Sequence, residues 1–458
     1  MIATAHNRAG VLALEIYRDV LNAVRGDRLM RDAIRLQAEK LEVQDIVLDL
    51  NQFENVFLCG AGKASFGMAQ YLAELLGERV SGGIVVTKEG HGGTIPGLEV
   101  VESSHPVPDD TSLDAGRRLL AFARQTGPND LVLFALSGGA SSLTEFPIEG
   151  VSLQDLQVLN RFLLASGFGI EQMNAIRSAI SQTKHGGLGQ AFLPSRVVVL
   201  VLSDVMGDNL DAIGSGPFWN SQSLEEIPVG VGSYWDNRTA FVASEFCGKP
   251  LSRLGIKIDD EYLSELLDRA TTATRPPEAD LSRRVSHRFI GSSQTARLVA
   301  RRSAVARGLR IDESGAEPLV SDARVEGEKV ARLALCLGSE DSICAIFGGE
   351  PTVILRGNGS GGRCQELACV ASGLISGRSD LAILAGSTDG TDGPTDVAGA
   401  LVDGYSTARA RAQGIDAETC LASSDSQLFL EACGGLIRTG PTQSNVNDVV
   451  LMIRADCA

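Results

Sequence analysis

The chain has 458 residues, and 57 acidic against 41 basic side chains leave a formal net charge of −16, which excludes a basic nucleic-acid surface as its main business. Charged residues at 21% and hydrophobic residues at 44% are ordinary globular usage and exclude a wholly disordered chain or a coiled coil. Glycine is the anomaly: its 51 residues make up about 11% of the chain where about 7% is usual, so their placement matters.

Nine cysteines form no CxxC pair and no regular disulfide spacing, which points to a reducing compartment. The five histidines show no zinc-ligand spacing. The N-terminus lacks the basic and apolar segments of a secretion signal, and no apolar stretch reaches about 18 residues. The expectation is a cytoplasmic protein with no membrane and no nucleic-acid partner.

In chain order, residues 10–49 read as amphipathic helices, because Val11, Leu12, Leu14, Ile16, Val20, Leu21 and Val24 recur at near-helical spacing. Then short apolar runs at 56–59, 83–86, 131–136 and 197–202 each end in a Gly-rich or polar loop, the pattern of buried parallel strands. Helical patterns at 68–76 and 153–164 read as the covering helices of βα units. Further strand-like runs at 288–290, 342–347 and 381–384, with a helix at 295–307, form a second such set. The reading is an α/β protein of two α/β domains: an N-terminal domain 1–236 with a helical preface, a helical connector 237–284, and a C-terminal domain 285–458.

The loops after these strands hold the chemistry. In GAGKAS, residues 60–65, Gly60 and Gly62 flank the entry to a helix with Lys63 near its start, so backbone N–H groups and an ammonium suit an anion. The loop lacks the third glycine of GxGxxG and the GKS or GKT ending, so it matches neither standard nucleotide fingerprint. SGGASS, residues 137–142, offers Ser137, Gly138, Gly139 and Ser141 to carboxylate or phosphate oxygens, without the GxSxG elbow of a serine nucleophile. His105 lies in the turn-rich loop HPVPDD. Asp204 directly follows the most β-branched run and can orient a substrate hydroxyl or ligate a cation.

In the C-terminal half, Gly349 and Glu350 follow a strand, and Arg363 follows the turn GNGSGG at a helix start, where a guanidinium can grip a phosphate bidentately. GSTDGTDGPTDVAG, residues 386–399, crowds Asp389, Asp392 and Asp396 into one loop, a density of like charge that needs a cation or donors. It lacks the twelfth-position Glu of an EF-hand, and magnesium with nucleotide phosphates is the reading for Asp389 and Asp392. Thr388 lies in this acidic loop, and Asn445 lies in TGPTQSNVND, a loop rich in turn residues that offers a few side-chain donors or is purely a turn.

Taken in order, GAGKAS, SHPVPD, LSGGASSL, LSDVMGDNLDAIGSGP, GGEPTV with GSGGRCQEL, TDGTDGPTDVAGA and TGPTQSNVND make the chain resemble the MOFRL-type glycerate 2-kinase family over most of its length. The resemblance implies a Rossmann-like N-terminal domain and a MOFRL-type C-terminal domain, with largely parallel sheets around a central cleft. It implies phosphorylation of the 2-hydroxyl of glycerate with ATP and Mg2+, yielding 2-phosphoglycerate. Carried over by motif, the family's functional Lys, Asp and Arg fall on Lys63, Asp204 and Arg363. Gly60, Gly62, Gly349, Glu350, Thr388 and Asn445 are then expected at the nucleotide, and His105 with Ser137, Gly138, Gly139 and Ser141 at the small hydroxy acid. Cys364, Gln443 and Ser444 depart from the family's usual residues, and KHGGLGQ, residues 184–190, lacks its usual Arg, so a related hydroxy acid stays open as acceptor.

Two other classes compete. An NAD(P)H-dependent hydroxypyruvate reductase, the older label of some relatives, would leave the acidic loop without use. A phosphosugar isomerase or binding protein would need SGGASS but neither Arg363 nor that loop. A homodimer is compatible with the sequence.

Overall fold

The structure, a computed structural model, describes residues 4–165, 177–178, 180–205, 207–219, 281–337 and 342–455. The chain divides into two compact units, one of residues 33–201 and 208–289, the other of residues 1–32, 202–207 and 290–458. Among the described residues no helix is long and apolar enough to cross a membrane.

The first unit opens with strands Ile34–Gln37 (β1), Lys40–Val43 (β2) and Ile46–Asp49 (β3), paired as an antiparallel meander. Helices were expected as far as residue 49; the sequence beyond Ala33 obeys a period of two instead, with Leu41 and Val43 buried and Lys40 exposed. Ala38 and Gln44 take left-handed backbone at φ of 52° and 53°, which lets each two-residue loop close a hairpin.

The main sheet of this unit comprises Asn55–Ala61 (β4), Val80–Lys88 (β5), Glu99–Ser103 (β6), Asp130–Ser137 (β7), Arg196–Leu202 (β8) and Val285–Gly291 (β9). Its order is β6-β5-β4-β7-β8-β9, the doubly wound order that places a topological switch between β4 and β7. β4 runs parallel to both β5 and β7, and every residue of β7 is buried, as a strand covered on both faces requires. The apolar runs at 56–59, 83–86, 131–136 and 197–202 are the cores of β4, β5, β7 and β8. The helices Ser65–Leu76 and Leu153–Ala165 fall where the periodicity placed them, whereas β6 carries too little apolar character to be read.

The second unit is built on Arg310–Asp312 (β10), Ile343–Gly349 (β11), Leu381–Ser387 (β12), Gly399–Asp403 (β13), Leu436–Ile437 (β14) and Asp448–Arg454 (β15), in the order β10-β11-β15-β12-β13-β14. β10 and β11 are parallel, whereas β15 is antiparallel to β11 and β12, and β13 is antiparallel to β12 and β14. Four strands therefore share one direction, and β15 and β13 run against them. The register pairs Asp448 with Gly349 on one side and Ser387 on the other. The start of β15 thus lies between the loops that leave β11 and β12.

The helix Arg8–Ala23, read by chain position as the preface of the first domain, belongs to this second unit. It packs on β12 and β15 and on the helix Ser293–Ala306. Its attachment is polar as well as apolar: the Asn7 carboxamide donates to the carbonyls of Ser379 and Leu381 at 3.0 and 2.9 Å, and the Tyr17 hydroxyl donates to that of Ser387 at 2.6 Å. The boundary near 236 and residues 237–280 of the connector lie outside the described residues, while the run at 288–290, read with the second set of strands, is the end of β9 in the first unit's sheet.

Candidate functional site

At the switch point of the first unit, pairing of Ala61 with Leu136 sets GAGKAS beside SGGASS. The two loops are stitched together: the Lys63 N–H donates to the Gly138 carbonyl at 3.0 Å, and the Ala64 N–H donates to the Ser137 hydroxyl at 3.0 Å. Gly62 is required here, since at φ of 129° a Cβ would lie 2.2 Å from Ser137 Oγ. Gly139, also left-handed at φ of 87°, abuts the His105 ring and the Lys63 side chain, which would stand 3.0 and 3.3 Å from a Cβ. Lys63, His105, Gly138 and Gly139 thus form one constellation. Carboxyl ends of strands at such a switch are where doubly wound sheets bind ligands.

Two residues of that loop pair have other work. Ser137 is fully buried, and its hydroxyl holds the Ala64 N–H, so it braces the loops rather than offering itself to a ligand. Gly60 lies inside β4, where a Cβ would press on the Ala135 carbonyl and Ser65, so close strand packing explains it. Ser141 is half-buried, its hydroxyl 2.9 Å from that of Ser215. Beneath it, Lys184 donates to the Ser141 carbonyl at 3.0 Å and pairs with the carboxylate of Glu145. The sequence reading missed Lys184 and Glu145 as partners, although Lys184 opens the quoted segment KHGGLGQ.

In the second unit, Arg363 starts the helix Arg363–Leu374, and its guanidinium is gripped at both edges. Nε and Nη2 donate to Asp448 Oδ2 and Oδ1 at 2.5 and 3.0 Å, and Nη1 donates to Glu350 Oε1 at 2.6 Å. Burial works against the charge, but Asp448 and then Glu350 outweigh it and hold Arg363 more firmly protonated than an ordinary arginine. The Asn447 carboxamide reaches Glu350 Oε2 at 3.4 Å, and the Asn445 carboxamide donates to Asp204 Oδ2 at 2.8 Å. Thr388, fully buried, ties this loop down: its hydroxyl donates to the Asn447 carbonyl at 2.7 Å and accepts from the Val446 N–H at 2.9 Å. Asp204, Arg363, Glu350, Thr388 and Asn445 therefore belong to one unit, while Lys63 and His105 belong to the other. Asp448 escaped the sequence reading although it ends the motif TGPTQSNVND.

The acidic loop is not arranged as a metal cage. Asp392 is buried, and its carboxylate caps the helix of Arg363: Oδ1 accepts from the Cys364 N–H at 3.0 Å, and Oδ2 accepts from the Gln365 N–H and side chain at 2.9 and 3.0 Å. Burial, and then the charge of Asp448, raise its carboxyl to about 6. Asp389 Oδ1 takes donors from the Ser387 hydroxyl and from both the N–H and the hydroxyl of Thr391, at 2.8 to 3.0 Å. Among the described residues no group of three or more His, Cys, Asp or Glu is placed to hold a metal ion. Asp392 thus serves as a cap of that helix, and Asp389 Oδ1 takes its donors from its own turn. Gly349 likewise serves packing, since a Cβ there would meet the Leu319 carbonyl at 2.1 Å.

This geometry can be set beside known proteins. Residues 12–229 match a domain described as of unknown function, DUF4147, and residues 343–448 match the MOFRL family. A D-glycerate 2-kinase of Thermotoga maritima is 37% identical over 446 residues, covering 96% of this chain and 97% of that protein. An Agrobacterium vitis protein named for hydroxypyruvate reductase is 36% identical over 399 residues, 85% of this chain and 97% of its own. A crystal structure of glycerate kinase from Thermotoga maritima superposes with a TM-score of 0.77 at 35% identity, covering 97% of this chain and 99% of that one. The two α/β units, the ordered loops and the end-to-end similarity together mean that the chain belongs to the MOFRL-type glycerate 2-kinase family.

Proposed function

We propose that this protein transfers the γ-phosphoryl group of ATP to the 2-hydroxyl of glycerate, giving 2-phosphoglycerate and ADP. The observation that carries the reading is the Arg363 guanidinium, fixed bidentately by Asp448 in the same unit as an aspartate oriented by Asn445, in a chain 37% identical to a D-glycerate 2-kinase. Phosphoryl transfer asks for positioning and charge neutralisation more than for covalent chemistry. Arg363 and Lys63 are assigned the neutralising role. Asp204, its Oδ2 held by Asn445, takes the proton of the attacking hydroxyl. His105 and Gly139, beside Lys63, are assigned to the hydroxy acid. Magnesium is assigned to the nucleotide phosphates as their counter-ion, and no step here runs through it.

Lys63→Ala and Arg363→Ala should each lower the rate of ADP release by about 100-fold or more, the scale of losing one preorganised charge at a transition state. Both should keep the wild-type circular dichroism spectrum. Near-normal turnover in either variant refutes its role. The Agrobacterium vitis relative's name favours a reductase, and the same preparation given NADH or NADPH with hydroxypyruvate separates the two. Nicotinamide oxidation without ADP release from ATP and glycerate would establish the reductase.

A further inference from the structure

Behind the SGGASS loop lies a charged pair that the chemistry above does not use. Lys184 is 3% exposed and Glu145 5%. Ion pairs this deep are poor stabilisers, because desolvation offsets their attraction, and apolar replacements of similar volume often serve as well. What this pair does do is tie the segment 141–145 to the segment 181–184. The ammonium holds the Glu145 carboxylate and, at 3.0 Å, the Ser141 carbonyl, while Glu145 Oε1 also accepts from the Ser181 hydroxyl at 2.7 Å. The residues after Lys184 bind the GSGP turn through the His185 N–H to the Ser215 carbonyl at 2.9 Å and the Gly186 N–H to the Gly216 carbonyl at 2.7 Å. Ser215 returns to the hydroxyl of Ser141. Two residues before Ser141 stands Gly139, against His105 and Lys63.

We infer that Lys184 and Glu145 are positioning residues that set the hydroxy-acid side of the site, by fixing Ser141 and through it the Gly138–Ser141 backbone beside His105. The inference rests on the kinase reading and extends it to which substrate the pair serves. Loss of the pair loosens the seat of the acceptor and leaves ATP affinity alone.

The test uses the full chain with Lys184→Met and with the neutral double variant Lys184→Met/Glu145→Gln, followed by kcat, KM for D-glycerate, KM for ATP and Tm. The single variant strands the Glu145 carboxylate and should lose Tm, and the double variant should regain it. Both should show KM for D-glycerate raised about tenfold, the effect of one lost positioning hydrogen bond, with KM for ATP changed less than about twofold. A double variant of wild-type Tm that keeps wild-type KM for D-glycerate overturns the inference. So does a rise of both KM values together in proportion to lost Tm, which marks a purely structural pair. An unaltered chain that releases no ADP from ATP and D-glycerate overturns the kinase reading itself and this inference with it.

Discussion

Asp448→Asn separates the structural grip on Arg363 from its charge. Asp448 is 1% exposed and takes two hydrogen bonds from the guanidinium, whereas Glu350, 48% exposed, takes one. Breaking a buried pair from one side costs about 3–5 kcal/mol. The lower end applies, because Arg363 is 27% exposed and keeps Glu350. About 3 kcal/mol corresponds to a fall in Tm of about 6–12 °C for a unit of this size. Glu350→Gln removes a half-exposed partner worth about 1 kcal/mol or less, so its Tm should fall by at most about 2–4 °C. In the kinase assay Asp448→Asn should lower kcat about 10- to 100-fold, since a guanidinium displaced by an ångström no longer meets the phosphoryl oxygens. The measurements are differential scanning fluorimetry and ADP release at saturating substrates. Equal Tm losses in the two variants, or wild-type kcat in a folded Asp448→Asn protein, would refute the reasoning.

Asp392 has a carboxyl raised from the ordinary 3.8 to about 6, so between those values the native state binds the proton that the unfolded chain has released. Its contribution to stability is full below pH of about 4 and is lost as pH rises through about 6, a change of about 3 kcal/mol. The Tm of Asp392→Asn relative to wild type should therefore rise from pH 4 to 7, and a flat difference across that window contradicts a carboxyl raised by burial beside Asp448. Gly62→Ala drives a Cβ into Ser137 and should cut kcat/KM about 100-fold by parting the GAGKAS and SGGASS loops. Unchanged kcat/KM in that variant would show that the loops need not touch.

Much of the first unit was legible in the sequence, because a parallel strand buried on both faces announces itself as a continuous apolar run such as LVLFALS. Loops that follow such runs lie at the carboxyl edge of the sheet, so Lys63, Gly138 and Gly139 could be named from the chain alone. Arg363 and Asp204 were legible for the same reason, as polar residues placed where a strand or turn releases the backbone. The three-stranded meander was obscured by four-residue strands too short to outweigh the helical periodicity before them.

Composition and local periodicity by themselves determined the α/β class, the long buried strands and the loops that carry polar chemistry, since each depends only on neighbours a few residues apart. The tertiary structure alone decided which groups those loops share. Asp448 reaches Arg363 across 85 residues because β15 inserts between β11 and β12. Lys184 meets Glu145 across 39 residues. Asp392, one carboxylate among several in an acidic loop, became a helix cap only once the helix of Arg363 was laid against it. Each pairing is a contact between distant segments, fixed by strand order and packing, and a one-dimensional pattern of polar and apolar residues does not encode the partner.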